Sequence, residues 1–202
     1  ALVADDTSWI QPGRSVWTTQ GGGASTVEGY KEYSDYASQL GIEFNLIEAR
    51  NGFGDTLDEQ FAAIKEIADY SAGLENPVKI WLWEDAPTSR YTGGLYTEEN
   101  ARDFLSRCRK AGVVGVKIDH IHSESPDKVS FYEDFTRLAA EYHIMVSYHN
   151  PMKPTGLSRT YPNEMTREAI RGMQYQCNPN ENAILPFTRL LAGGADYTPM
   201  NF

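Results

Sequence analysis

The 202-residue chain is short of cysteine, of positive charge and of long apolar runs. Its 2 cysteines, Cys108 and Cys177, are widely separated and make neither a zinc pattern nor a disulfide framework. Cys108 falls inside a helical pattern and reads as a packed thiol. Lys and Arg number 18 against 28 Asp and Glu, a formal net charge of −10. Such a chain repels phosphate backbones, which argues against a general nucleic-acid binder. No run of about 18 apolar residues occurs, so no segment reads as a transmembrane helix. The opening Ala1-Leu2-Val3-Ala4-Asp5-Asp6 carries no Met and no basic or apolar leader, and reads as the start of a mature or internal fragment. Gly21-Gly22-Gly23 lacks both the Walker lysine and the Rossmann glycine spacing, and reads as a flexible loop beside a site. What the chain does have is 41% apolar and 12% aromatic residues, enough to bury a core, so intrinsic disorder is excluded.

Short apolar runs alternate with longer amphipathic stretches. Strands are expected at residues 15–19, 42–48, 78–83, 113–119 and 144–149. Between them come helical patterns. The first has Thr26 as N-cap and Gly41 as terminator; another carries Leu57, Phe61, Ile64 and Ile67 on one face. A third begins with the acidic Thr97-Glu98-Glu99 and closes near Gly112, and a fourth runs from Pro126 to Tyr142. Strand starts recur about every 30 residues, the length of a βαβ unit. Five such units predict a parallel sheet with helices outside it. Beyond His149 the rhythm loosens: 166–174 reads as helical, and 184–191 as an apolar segment of undetermined type. A complete (β/α)8 barrel of the TIM type needs about 250 residues. The expected fold is therefore such a barrel, incomplete at its C-terminal end, occupying residues 1–202 as one catalytic domain.

Barrel active sites gather at the C-terminal ends of the strands. Those ends carry Trp17, Glu48, Glu84 and Asp85, Lys117 and Asp119, then His149 and Asn150. Asp119 ends an apolar run with Lys117 on the same face, and a neighbouring ammonium would keep its carboxylate ionised, as a nucleophile requires. The bland alternative is a structural Lys–Asp pair. His120 and His122 alternate but lack a third ligand at suitable spacing. The tryptophans suit stacking on sugar rings as well as core packing.

Several blocks resemble one family. They are residues 13–17 (GRSVW), 115–119 (GVKID), 153–163 (KPTGLSRTYPN), 167–172 (REAIRG), 185–193 (LPFTRLLAG) and 196–199 (DYTP). Together they are similar to the catalytic barrel of glycoside hydrolase family 97. The resemblance implies an exo-acting α-glycosidase, an α-galactosidase or α-glucosidase, that uses calcium and works in the periplasm on oligosaccharides or glycosides. It also implies flanking β-domains that this chain does not contain. Inverting members carry Glu directly after the fifth-strand histidine, where this chain has Asn150, which cannot act as a base. Retaining members carry Asp where this chain has Asp119. The resemblance thus implies retention, with Asp119 as nucleophile. It places the acid/base at position 174, where this chain has Gln174, and an amide cannot supply a proton to a leaving oxygen. Either an engineered substitution or a natural sugar-binding barrel accounts for Gln174. By the same resemblance, Asn150, Glu168 and Gln174 hold calcium, while Trp17, Lys117 and His149 contact the sugar. The alternatives are a retaining α-glucosidase, a non-catalytic carbohydrate-binding barrel, and a metal-dependent hydrolase built on His120, His122 and His149.

Overall fold

The five apolar runs up to His149 become strands, and the four helical patterns between them become helices. The computed structural model describes residues 6–18, 24–48, 50–87, 91–175 and 178–198, without the side chains of residues 51 and 174. The Gly21–Gly23 loop, Cys177 and Pro199 of the last motif lie outside the described residues. The strands are β1 (Ser15–Trp17), β2 (Phe44–Ile47), β3 (Lys79–Asp85), β4 (Val113–Asp119), β5 (Met145–Tyr148) and β6 (Glu164–Arg167). They form one sheet in the order β1-β2-β3-β4-β5-β6, and every neighbouring pair is parallel. The sheet curls into a half-barrel with β1 and β6 at its edges; closure into eight strands is not seen among the described residues.

Between the strands run α1 (Val27–Leu40), α2 (Leu57–Ala72), α3 (Glu98–Lys110) and α4 (Pro126–Glu141). Their ends follow local chemistry. The Thr26 side chain accepts from the Gly29 N–H at the start of α1, and Gly41 ends that helix at φ 64°, a conformation glycine adopts without strain. Thr56 and Glu59 close a reciprocal capping box on α2. Acidic Glu98 and Glu99 open α3, and Arg107, Arg109 and Lys110 close it, both in the sense its dipole favours.

Period-two alternation divides the sheet residues between two environments. Ile47, Ile80, Leu82, Val116, Ile118 and Val146 face the helices and pack with Ile64, Ile67, Phe104, Phe131 and Phe135 in the main core. Phe44, Leu46, Trp81 and Met145 face the concave side, with Trp17 and Trp83 packed against them. Alternation also corrects one expectation. Glu84 stands at a strand end but is directed to the helix layer, where it is fully buried and ion-paired with Arg50. The Arg50 guanidinium lies 5.4 Å from the Phe61 ring centre. This carboxylate is therefore not in the concave site.

A second correction concerns residues 166–174. The apolar spacing there imitates a helix face, but Glu164–Arg167 pairs with β5 as a parallel strand, and only Met173–Tyr175 turns, as one 3-10 turn. The open edge of β5 offers unpaired backbone groups, and satisfying them outweighs a weak local preference. The apolar 184–191 segment starts at the last residue of a short helix, α5 (Pro179–Ile184), and continues as 3-10 turns at Leu185–Phe187 and Arg189–Ala192.

Gly115 lets Trp81 lie flat against β4, because a methyl at 115 would land on the indole ring. Gly115→Ala is expected to destabilise the domain by about 1–3 kcal/mol through overpacking. Urea unfolding measures this, and combination with Trp81→Phe should recover part of the loss.

Candidate active site

Three adjacent strands end in the same way. β4 finishes with Asp119, β5 is followed by His149, and β6 by Glu168. The next residue in each case has positive φ: His120 at 61°, Asn150 at 49° and Ala169 at 32°. Such backbone is uncommon for residues other than glycine and is best tolerated by Asn, Asp and His. It breaks the strand abruptly, so the side chains before and after each break gather over the concave face. Strain of this kind concentrates at functional sites.

Asp119 is the centre of the cluster and is 5% exposed. Its Oδ2 accepts from Trp83 Nε1 at 3.0 Å. Its Oδ1 accepts from Asn150 Nδ2 at 3.0 Å and from the His120 backbone N–H at 2.6 Å. All three donors are neutral groups. His149 Nε2 stands 4.0 Å and His120 Nε2 3.8 Å from Oδ2. His120 is tied on its other side to Asp85, Nδ1 to Oδ1 at 3.2 Å.

Two further carboxyls flank this centre. Glu168 accepts from the Asn150 backbone N–H at 2.8 Å, and its Oε2 lies 3.3 Å from His149 Nδ1 without hydrogen-bond alignment. Burial pushes the Glu168 carboxyl above its ordinary range, partly offset by the Asn150 N–H. Burial likewise holds the His149 imidazole below its usual value, and the Lys117 charge adds to this, so the ring is favoured as neutral. Glu48, at the end of β2, accepts from Trp17 Nε1 at 2.8 Å and is raised by burial.

Lys117 departs from expectation. Its ammonium lies 2.5 Å from Asp196 Oδ2 and 4.0 Å from the Trp17 ring centre, so its ion pair is with Asp196 and not with Asp119. The reason is supply: a carboxylate from the C-terminal segment reaches it, while Asp119 is already enclosed by neutral donors. Burial pushes the Asp196 carboxyl up, but the Lys117 ammonium more than reverses this and leaves it below the ordinary range.

The structure thus brings together Trp17, Lys117, Asp119, His149, Asn150 and Glu168. The Gln174 side chain lies outside the described residues; its neighbour Met173 donates its N–H to the Tyr197 carbonyl at 3.1 Å. Among the described residues no group of three or more His, Cys, Asp and Glu side chains is placed to hold a metal. His120 and His122 lie with ring centres 5.3 Å apart, and His120 Nδ1 is held by Asp85 Oδ1 at 3.2 Å. A hard, oxygen-seeking cation is a different matter. Asn150 and Glu168 both offer side-chain oxygens, and the 2.8 Å bond between them keeps them adjacent. Burial penalises the Glu168 charge, a cost that a cation would relieve. These two residues fit such an ion.

Asp196 and Arg189 were missed in the sequence, and Trp83, read there as a stacking ring, was not foreseen as a donor to Asp119. Trp83 follows from alternation, since it shares a face with Asp85. Asp196 had no assigned role within its motif. Arg189 donates to the carbonyls of Arg167, Glu168, Ala169, Gly193 and Gly194 at 2.7–3.2 Å and clamps the end of β6.

The glycoside hydrolase 97 family model matches residues 9–170. A probable retaining alpha-galactosidase from Streptomyces bingchenggensis is 32% identical over 208 residues, 98% of this chain and 32% of that protein. The retaining alpha-galactosidase of Bacteroides thetaiotaomicron is 28% identical over 96% of this chain and 31% of its own length. A family 97 enzyme from Pseudoalteromonas sp. strain K8, solved in complex with acarbose, matches with a TM-score of 0.75 and 25% identity, covering 96% of this chain and 36% of that one. The chain spans about a third of the length of the curated relatives it matches.

The Arg189 clamp makes a direct prediction. Arg189→Met should cost about 3 kcal/mol, since bonds to a charged group are strong and the carbonyls lose their partner. Arg189→Lys should rescue little, because one ammonium cannot reach the same fan of acceptors. Chemical denaturation of the three forms checks both statements; a loss under about 0.5 kcal/mol for Arg189→Met would remove the clamp.

Proposed function

The chain belongs to the glycoside hydrolase 97 family, and from that premise we propose that it is the catalytic part of a retaining exo-α-glycosidase, an α-galactosidase, acting on terminal α-linked sugars of oligosaccharides. The observation that carries the proposal is Asp119, a buried carboxylate at the end of β4 whose three hydrogen bonds come from neutral donors. A nucleophile needs negative charge that is held in place without being cancelled. The two curated relatives are named a retaining alpha-galactosidase and a probable one, which favours galactosides, with an α-glucosidase as the second reading. The six strands are read as the first six of a (β/α)8 barrel.

In the proposed reaction an Asp119 oxygen bonds to the anomeric carbon while the glycosidic C–O bond breaks. The departing oxygen needs a proton unless it is already a stable anion, and water must then lose a proton to release the sugar. Position 174 would supply both transfers, and Gln174 can perform neither. Trp17, Lys117 and His149 surround the sugar, with His149 neutral and able to donate one hydrogen bond while accepting another. Calcium would be held by oxygens of Asn150, Glu168 and Gln174, where it would polarise the leaving oxygen. That ion, and a periplasmic location, rest on the family resemblance alone. A non-catalytic sugar-binding barrel is favoured by one feature, the amide at position 174.

Activated and natural substrates separate these readings. In the longest natural polypeptide that contains this chain, a dinitrophenyl α-galactoside should release roughly one equivalent of phenolate in a burst, because that leaving group needs no acid. Gln174→Glu should raise turnover of an unactivated α-galactoside by about 10²–10⁴-fold. Absence of both responses would leave a binding barrel; a larger kcat/KM for the matching α-glucoside would reassign the substrate.

A further inference from the structure

We infer that residues Asp196–Thr198 form a positioning strap that sets the Lys117 ammonium in the sugar site and ties it to the turn carrying residue 174; the inference rests on the function proposed above. The strap makes contact in two directions. Toward β4, the Asp196 carboxylate takes the Lys117 ammonium at 2.5 Å across 79 positions of sequence. Toward the turn, the Tyr197 carbonyl accepts from the Met173 N–H at 3.1 Å, one residue before position 174. Gly172 makes this approach possible, since a methyl there would stand 2.5 Å from the same carbonyl oxygen.

The strap is itself fixed. Tyr197 donates its hydroxyl to Asn182 Oδ1 at 2.6 Å, which anchors it to α5. Thr198, at φ 47°, folds its backbone N–H and hydroxyl toward Asp196 Oδ1 at 3.3 and 3.4 Å. One Asp196 oxygen is thereby engaged by Thr198, and the other is presented to Lys117.

The consequence is a division of charge. Lys117 is 4% exposed and lies among Asp119, Glu48, Glu168 and Asp196. Paired with Asp196, the ammonium stays over Trp17 and beside the sugar. Released from it, the ammonium would collapse onto one of the remaining carboxylates and leave the position where a hydroxyl is met. Asp196 is a positioning residue that acts through Lys117.

A double-mutant cycle on sugar binding tests this, using galactose as the probe and calorimetry on the longest natural polypeptide containing the chain. Asp196→Asn should weaken galactose binding about tenfold, the loss expected when one charge-assisted hydrogen bond is mispositioned. In a Lys117→Met background the same change should alter binding less than about twofold, because its route of action is gone. Asp196→Glu keeps the carboxylate and should recover most of the affinity, which a general folding defect would not. The inference falls if Asp196→Asn binds like the wild type, if its effect adds in full to that of Lys117→Met, or if Asp196→Glu is no better than Asp196→Asn. Should the wild type itself fail to bind galactose or glucose, the proposed function falls first, and the strap's role with it.

Discussion

The site depends on a carboxylate held by neutral hands. Asp119 receives an indole N–H from β3, a backbone N–H just beyond its own strand and an amide N–H from just beyond β5. The two side-chain bonds, from Trp83 and Asn150, form only when three parallel strands end at matching heights. The register sets this, with Asp85 opposite Asp119 and Ile118 opposite Tyr148. A slip of one residue in β4 would turn Asp119 into the helix layer and bring Ile118 to the concave face. The packing of the outer core, which fixes the register through Val116, Ile118, Val146 and Tyr148, is therefore also what aims the carboxylate.

Formal charges are sorted by the same alternation. Arg50 pairs with Glu84 and Arg167 with Glu164, each pair buried. Asp119, Glu48, Glu168 and Lys117 are gathered over the concave face, where Asp196 claims the lysine. Removing one partner of a buried pair leaves an uncompensated charge at a cost of about 3–5 kcal/mol. These pairs therefore constrain geometry more than they add net stability. The concave cluster keeps carboxylates in excess over cations, a balance suited to stabilising positive charge developing on a sugar ring or to holding a divalent ion.

Much of this was legible in the sequence because apolar periodicity is local. The limits of β4, the Thr26 cap, the acidic opening of α3 and the start of α4 at Pro126 all follow from neighbours a few residues away. The failures have non-local causes. Glu164–Arg167 becomes a strand because β5 needs an edge partner, which residue spacing within 166–174 does not reveal. Glu84 looked like a site residue until its pairing with Arg50, 34 positions away, placed it in the helix layer. Asp119 and Lys117 were found from strand ends, but the partner of Lys117 comes from residue 196. Arg189 was visible only as part of a motif, since nothing in its spacing points to the carbonyls after β6.

The nucleophile is the claim from which the rest follows, and trapping it tests that claim most directly. A fluorinated galactosyl donor with an activated leaving group should leave a hexosyl adduct on the wild-type protein, and peptide mass spectrometry should locate it on Asp119, with none formed by Asp119→Asn. An adduct on Glu48 or Glu168, or an equal adduct on the Asp119→Asn variant, would contradict the account.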